Sequence, residues 1–98
     1  MKTSKSIHIA IDLGASSGRI ICGIYDNNYL KINEVHRFKN VPINIDGLIC
    51  WDIQNIYGNI IIGLNKSTKL YGNNISTIGL DSWALDFVLL DENDDYLF

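Results

Sequence analysis

The chain has 98 residues, of which 47% are hydrophobic and 19% are charged, so its length and composition are those of one folding globular domain. Its net charge is −3, which provides no basic surface for the phosphates of a nucleic acid or an anionic membrane. No stretch approaches the roughly 20 apolar residues of a membrane helix. We therefore expect a soluble, cytoplasmic protein with no nucleic-acid or membrane partner and with Cys22 and Cys50 reduced.

The first forty residues predict a meander of three antiparallel strands. Ile7, Ile9 and Ile11 alternate with small or polar residues, which is the period-two pattern of a strand. Small residues and glycines then predict a turn that ends at Gly18, before a second apolar run. A second strand over 19–25, an Asp-Asn-Asn turn and a third strand over 29–38 complete the predicted meander.

A loop over 40–47 is predicted next, followed by an amphipathic helix. Asp52 is a good N-cap residue, and Gly72 is placed to end the helix. The apolar stripe at helical spacing consists of Ile53, Ile56, Tyr57, Ile60, Ile61, Leu64 and Thr68. A glycine within a helix costs about 1 kcal/mol relative to alanine, so we expect Gly58 and Gly63 to mark close approach to neighbouring backbone.

After the helix, an apolar strand over 75–80 ends at Asp81. A helical crossover joins parallel neighbours, so this strand should lie beside the first one and bring Asp12 and Asp81 to adjacent strand ends. The remaining segments are predicted to be a turn at 82–84, the start of a strand at 87–90, a polar turn at 91–95 and the first residues of a return strand at 96–98. We interpret this ending as that of a fragment, and we expect a large exposed apolar surface and self-association through an exposed sheet face.

The segment Asp12-Leu13-Gly14-Ala15-Ser16-Ser17-Gly18-Arg19 is the first candidate site. A carboxylate that ends a buried strand can hold Mg²⁺, and a tight turn of small residues offers backbone N–H groups and hydroxyls to a polyphosphate. The alternative is a plain hairpin turn, in which Gly and Ser occur because the chain must reverse. The segment differs from a Walker loop, since it has no terminal Lys and a strand follows it.

The second candidate site runs from Gly79 to Phe87. Ligands of open sheets bind beyond the carboxyl ends of parallel strands, where this segment is predicted to lie. Asp81, Ser82 and Trp83 combine a carboxylate, a hydroxyl and an indole, a set that suits a sugar. The alternative for an aromatic residue beside a strand end is a place in the core, and we favour that interpretation for Trp51.

Several blocks of sequence together resemble one family. These blocks are DLGASSGR at 12–19, HRF at 36–38, WD at 51–52, GLNK at 63–66 and GLDSWALDFVLL at 79–90. The sequence resembles the N-terminal part of the rhamnulokinases, which belong to the FGGY carbohydrate kinases. The resemblance implies an α/β fold of the actin-like ATPase (ribonuclease-H-like) type. It also implies that residues 1–98 are the N-terminal portion of the kinase N-terminal domain, with the second domain absent.

The same resemblance implies transfer of the γ-phosphoryl group of ATP to the 1-hydroxyl of L-rhamnulose, with Mg²⁺. The implied phosphate-binding residues are Ala15, Ser16, Ser17, Gly18 and Arg19, and the implied metal-associated residue is Asp12. The sugar site would include Ala84, at a position where the family has a glycine, together with Trp83, Asp81 and Asp86. The catalytic base lies elsewhere in the family, so we expect the 98-residue chain alone to be inactive.

Two alternatives stay open from the sequence. One is another FGGY kinase, acting on fuculose, xylulose or glycerol. The other is a noncatalytic module of ribonuclease-H-like fold that serves as a binding or assembly surface. A polar, aromatic segment such as the one around Trp83 favours a kinase, since an assembly module has no need of it.

Overall fold

A computed structural model describes residues 5–97 of the protein. In chain order, its elements are β1 (Lys5–Leu13), β2 (Ser17–Asp26), β3 (Tyr29–Lys39), β4 (Ile43–Ile45), β5 (Leu48–Cys50), α1 (Ile53–Tyr71) and β6 (Ile75–Ser82). A short 3-10 turn, Gly72–Asn74, joins α1 to β6.

Four of these strands form a mixed sheet in the order β3-β2-β1-β6. β1 pairs antiparallel with β2, and β2 pairs antiparallel with β3. β6 pairs with β1 in parallel, since α1 carries the chain back to the same end of the sheet. The predicted meander, crossover helix and parallel fourth strand are therefore confirmed as an α/β arrangement.

The core lies between α1 and one face of the sheet. Its buried residues on β1 and β2 are Ile7, Ile9, Ile11, Ile20 and Cys22, and α1 contributes Ile56. Both predicted ends of α1 are confirmed. The Asp52 carboxylate accepts the backbone N–H of Asn55 at 3.1 Å, and Gly72 ends the helix with a φ of 53°.

The face of α1 that meets the sheet differs from the predicted stripe. The buried residues of α1 are Ile56, Gly63 and Ser67, and a Cβ atom at Gly63 would overlap the Ile20 side chain. Small residues thus mark the centre of the contact, because they let the helix axis approach the sheet. Close approach was wrongly predicted for Gly58, which is exposed and where a Cβ atom would meet no atom within 4 Å. The predicted burial of the stripe was wrong for four of its members, which are exposed. Those four are Ile53, Tyr57, Ile61 and Thr68.

Other local predictions also need correction. Residues 40–47 are not only a loop, since β4 and β5 form a hairpin across Asp46 and Gly47, both of which have positive φ. Within the described residues, the segments 87–90 and 96–97 do not form the predicted strands. Their predicted hairpin pairing is present only as an isolated antiparallel bridge between Leu90 and Tyr96. The polar turn is confirmed by Asp91, whose Oδ1 accepts two backbone N–H groups. Phe98 lies outside the described residues.

The helix leaves one strand of the sheet uncovered. α1 lies over β1, β2 and β3, whereas Ile78 and Leu80 of β6 remain 58% and 60% exposed. Both side chains lie on the face that carries Ile9 and Ile11, because they pair with those residues in register. A large exposed apolar surface is thus confirmed. Among the described residues, no helix combines the length and the apolar character needed to cross a membrane.

Candidate active site at the carboxyl ends of β1 and β6

Asp12 and Asp81 lie opposite each other at the ends of two parallel strands, as predicted. Adjacent strands are about 4.8 Å apart, so the two carboxylates share one small region. Asp12 points away from α1, since side chains alternate along β1 and Ile11 faces the helix. Strands β1, β2 and β6 together line a shallow depression of about 540 Å³, which is formed by Ala10, Ile11, Asp12, Ile21, Gly79, Leu80 and Asp81.

Arg19 reaches across from β2 to the Asp12 carboxylate. Its Nη2 donates to Asp12 Oδ2 at 2.5 Å and its Nε donates to the same oxygen at 3.2 Å. The pair is cross-strand, because Asp12 and Arg19 are register partners of β1 and β2. The contact fixes the direction of the carboxylate and places a guanidinium, a strong phosphate donor, beside it.

The turn between β1 and β2 presents unused hydrogen-bond donors. The Gly14 N–H donates to the Ser17 carbonyl at 2.9 Å, and this closes the turn. The N–H groups of Ala15 and Ser16 and the hydroxyls of Ser16 and Ser17 have no protein partner within residues 5–97. Successive free donors of this kind form a concavity that suits an anion.

The packing of Phe38, and not the predicted turn, explains the glycine at position 18. Ser17 and Gly18 belong to β2 and not to the turn, and Gly18 is buried. A Cβ atom at this position would overlap the ring of Phe38, which faces Gly18 on β3. The lack of a side chain at Gly18 therefore leaves room for the Phe38 ring at the end of the core.

The segment after β6 contains an aromatic cluster built around Asp86. The Nε1 atoms of Trp51 and Trp83 donate to the same oxygen, Asp86 Oδ2, at 2.9 and 2.5 Å. The two indole rings are in contact, with centroids 4.6 Å apart. Trp51 is half-buried and contacts the candidate sugar segment through Asp86. The prediction that Trp51 is a core residue was therefore wrong. Ala84, beside Trp83, is exposed.

The donors at this edge of the sheet fit the implied cofactors. Within residues 5–97, no group of three or more His, Cys, Asp or Glu side chains could hold a metal ion. Mg²⁺ in phosphoryl-transfer sites usually takes only one or two carboxylates and completes its shell with substrate phosphates and water. Asp12 and Asp81 meet that requirement, and the free donors of the turn suit the phosphates.

Comparison with known proteins finds several rhamnulokinases that are similar to this chain, although no protein-family model matches the sequence. A rhamnulokinase of Oceanobacillus iheyensis is 49% identical over 87 residues, which are 89% of this chain and 18% of that protein. A rhamnulokinase of Bacillus subtilis is 47% identical over 91 residues, or 93% and 19% of the two chains. One of Bacteroides thetaiotaomicron is 42% identical over 93 residues, or 95% and 19%.

The chain spans less than a fifth of the length of these relatives, and the match lies in their N-terminal part. It includes the candidate active site almost completely, since about nine-tenths of this chain is aligned. The resemblance to the rhamnulokinases that the sequence blocks predicted is thereby confirmed for the N-terminal part of those proteins.

Proposed function

We propose that this chain forms the side of a rhamnulokinase active site that binds the phosphates of the nucleotide. It also forms part of the side that binds the sugar. In this proposal it is the N-terminal portion of an FGGY kinase domain with the actin-like ATPase fold. The observation that carries the proposal is the in-register pair Asp12 and Asp81 at the ends of parallel strands, beside a turn with free donors. The similarity to rhamnulokinases supports the choice of sugar.

The proposed reaction transfers the γ-phosphoryl group of ATP to the 1-hydroxyl of L-rhamnulose. The N–H groups of Ala15 and Ser16 donate to the phosphates, and Asp12 is the carboxylate that would hold Mg²⁺. When bound, the ion neutralises charge that develops on the transferred group. Arg19 keeps the Asp12 carboxylate directed toward the site and adds positive charge near the phosphates.

The sugar is proposed to lie against the Trp83 segment. An indole offers a flat apolar surface to a ring or carbon chain, and Asp81 offers a carboxylate to hydroxyl groups. Asp86 has a different proposed role from the one that the sequence implied. Because both indole N–H groups occupy its Oδ2, it holds Trp51 and Trp83 together, and only Oδ1 is left for a sugar hydroxyl.

A hybrid enzyme tests this function. Residues 1–98 would replace the matching N-terminal segment of the Oceanobacillus iheyensis rhamnulokinase, and ADP release would be measured with L-rhamnulose, L-fuculose, D-xylulose and glycerol. The unmodified relative and a thermal melt of the hybrid are the controls. We expect the hybrid to phosphorylate L-rhamnulose in preference to the other three compounds.

Two results would contradict the proposal. A folded hybrid without turnover would show that this chain does not form a functional part of the active site. A preference for another compound would overturn the choice of L-rhamnulose. The 98-residue chain assayed alone should release no ADP, since phosphoryl transfer also needs a base that positions the nucleophile. Sugar-dependent turnover by the chain alone would contradict that part of the proposal.

A further inference from the structure

Asn40, the first residue after β3, ties the end of that strand to the turn between β1 and β2. This polar residue is only 4% exposed. Its Nδ2 donates to the Gly14 carbonyl at 3.0 Å, and its backbone N–H donates to the Ser16 carbonyl at 3.0 Å. Two carbonyl groups of the candidate phosphate turn are therefore held by one residue.

The hydrogen bond to Gly14 also sets the direction of a neighbouring donor. The Gly14 carbonyl and the Ala15 N–H belong to one planar peptide group and point in opposite directions. Because the carbonyl points toward Asn40, the Ala15 N–H points away from it. This N–H is one of the donors without a protein partner among residues 5–97.

The Asn40 amide makes this contact at an energetic cost. Its Oδ1 is buried and has no hydrogen-bond partner within the described part of the chain. A buried acceptor without a partner destabilises the folded state, and a smaller apolar side chain would avoid that penalty. The arrangement is understandable if the Nδ2 donor is needed to hold the turn.

We infer that Asn40 is a positioning residue for phosphate binding, which directs the Ala15 N–H toward the anion by holding the Gly14 carbonyl. The inference rests on the proposed function of the turn. It adds a residue outside the Asp12 to Arg19 segment, at the end of the edge strand β3. Asn40 does not touch the phosphate and acts only through the peptide group.

The test is a titration of the isotopically labelled 98-residue chain with inorganic pyrophosphate and Mg²⁺. The NMR shift of the Ala15 amide gives a Kd for wild type, Asn40→Ala, Asn40→Asp and a control, Asn44→Ala. Asn44 is matched, because its side chain also makes one hydrogen bond to a turn, from the Gly47 N–H at 2.9 Å, but in the β4–β5 hairpin. We expect Asn40→Ala to weaken binding about tenfold, the effect of one lost hydrogen bond, and Asn44→Ala to leave it unchanged.

Asn40→Asp tests whether the turn needs the hydrogen-bond donor of Asn40 or only a side chain of its size. A carboxyl group can donate to the Gly14 carbonyl only while it is protonated, and burial raises the pKa of a carboxyl group. The contact should therefore be present at low pH and lost as the pH rises. We expect the Kd of this variant, divided by the wild-type Kd at the same pH, to improve between about pH 7 and about pH 5.

Each outcome decides the inference. The role of Asn40 would be overturned if the Kd of Asn40→Ala for pyrophosphate equalled that of the wild type. It would also be overturned if the Kd ratio for Asn40→Asp did not depend on pH. Neither result would contradict the phosphate site itself. A wild-type chain in which pyrophosphate does not shift the Ala15 amide would overturn the phosphate site itself, and the role of Asn40 with it.

Discussion

The small residues around the β1–β2 turn are small for separate physical reasons. A Cβ atom at Gly14 would come within 2.8 Å of the Ser17 carbonyl oxygen, so the tightness of the turn requires glycine there. Gly18 makes room for the Phe38 ring. Ala15 and Ser16 are exposed, and no packing contact dictates their size. Packing therefore leaves the residue type open at positions 15 and 16, where a ligand can determine it.

The first prediction concerns the contact between Gly18 and Phe38. Gly18→Ala should lower the free energy of unfolding by about 1–3 kcal/mol, because the added methyl group overpacks a filled site. Urea denaturation would measure the loss. The matched control is Gly79→Ala, another strand glycine, at which a Cβ atom would meet nothing within 4 Å.

The double variant Gly18→Ala with Phe38→Leu isolates the cause. Removing the ring should make the Gly18 substitution less costly than it is in the wild-type background, which is a coupling of neighbours. If Gly18→Ala were as mild as Gly79→Ala, or if its cost were the same with and without the ring, this account of Gly18 would be wrong.

Most of the strands and the helix could be predicted from local patterns in the sequence. The alternation at Ile7, Ile9 and Ile11, the Asp52 cap and the Gly72 terminus indicate strand and helix directly. The β4–β5 hairpin was missed although its Asp-Gly pair, at 46–47, is a known hairpin signal.

The helix face and parts of the site depend on tertiary packing, which no periodicity encodes. Gly63 is buried against Ile20 and Ser67 is buried against Cys22. The larger apolar residues Ile61 and Ile62, next to Gly63, are exposed. Asp12 and Asp81 could be paired from the crossover rule alone. The roles of Asn40 and Trp51 arise from contacts across 26 and 35 residues, so sequence spacing gave no sign of them.

The second prediction uses the two glycines inside α1. Gly63→Ala should destabilise the protein, by about 1–3 kcal/mol, because the methyl group would push the helix away from Ile20. Gly58→Ala should instead stabilise it by up to about 1 kcal/mol, since Gly58 is exposed and alanine favours the helix. Chemical denaturation of both variants checks the prediction, and effects of the same sign would contradict the packing described for α1.

The described residues are less compact than an ordinary domain of this length. Their radius of gyration is 16.6 Å, whereas about 13 Å is typical for this length. The buried apolar core is small, and large apolar side chains are exposed along β6 and after it. Apolar surface of this kind favours association with another surface.

The third prediction is that the 98-residue chain binds a hydrophobic dye and self-associates as its concentration rises. Replacing Ile78 and Leu80 by Thr should reduce both effects, because these side chains extend the core face beyond α1. Ile32→Thr, on the opposite edge strand, is the control for loss of an exposed isoleucine. Analytical ultracentrifugation measures association, and a wild-type chain that remains a monomer with little dye binding would refute the prediction.

We propose that Asp12, the next-to-last residue of β1, acts where the phosphoryl group is transferred, and kcat of the hybrid enzyme measures this role. Asp12→Asn keeps the size of the side chain and removes its charge, so kcat with L-rhamnulose should fall by about a hundredfold or more, as when one charge-stabilising group is lost. The control is Asp46→Asn in the β4–β5 turn, where the positive φ suits asparagine equally well and kcat should not change. A folded Asp12→Asn hybrid with the kcat of its parent would contradict the claim.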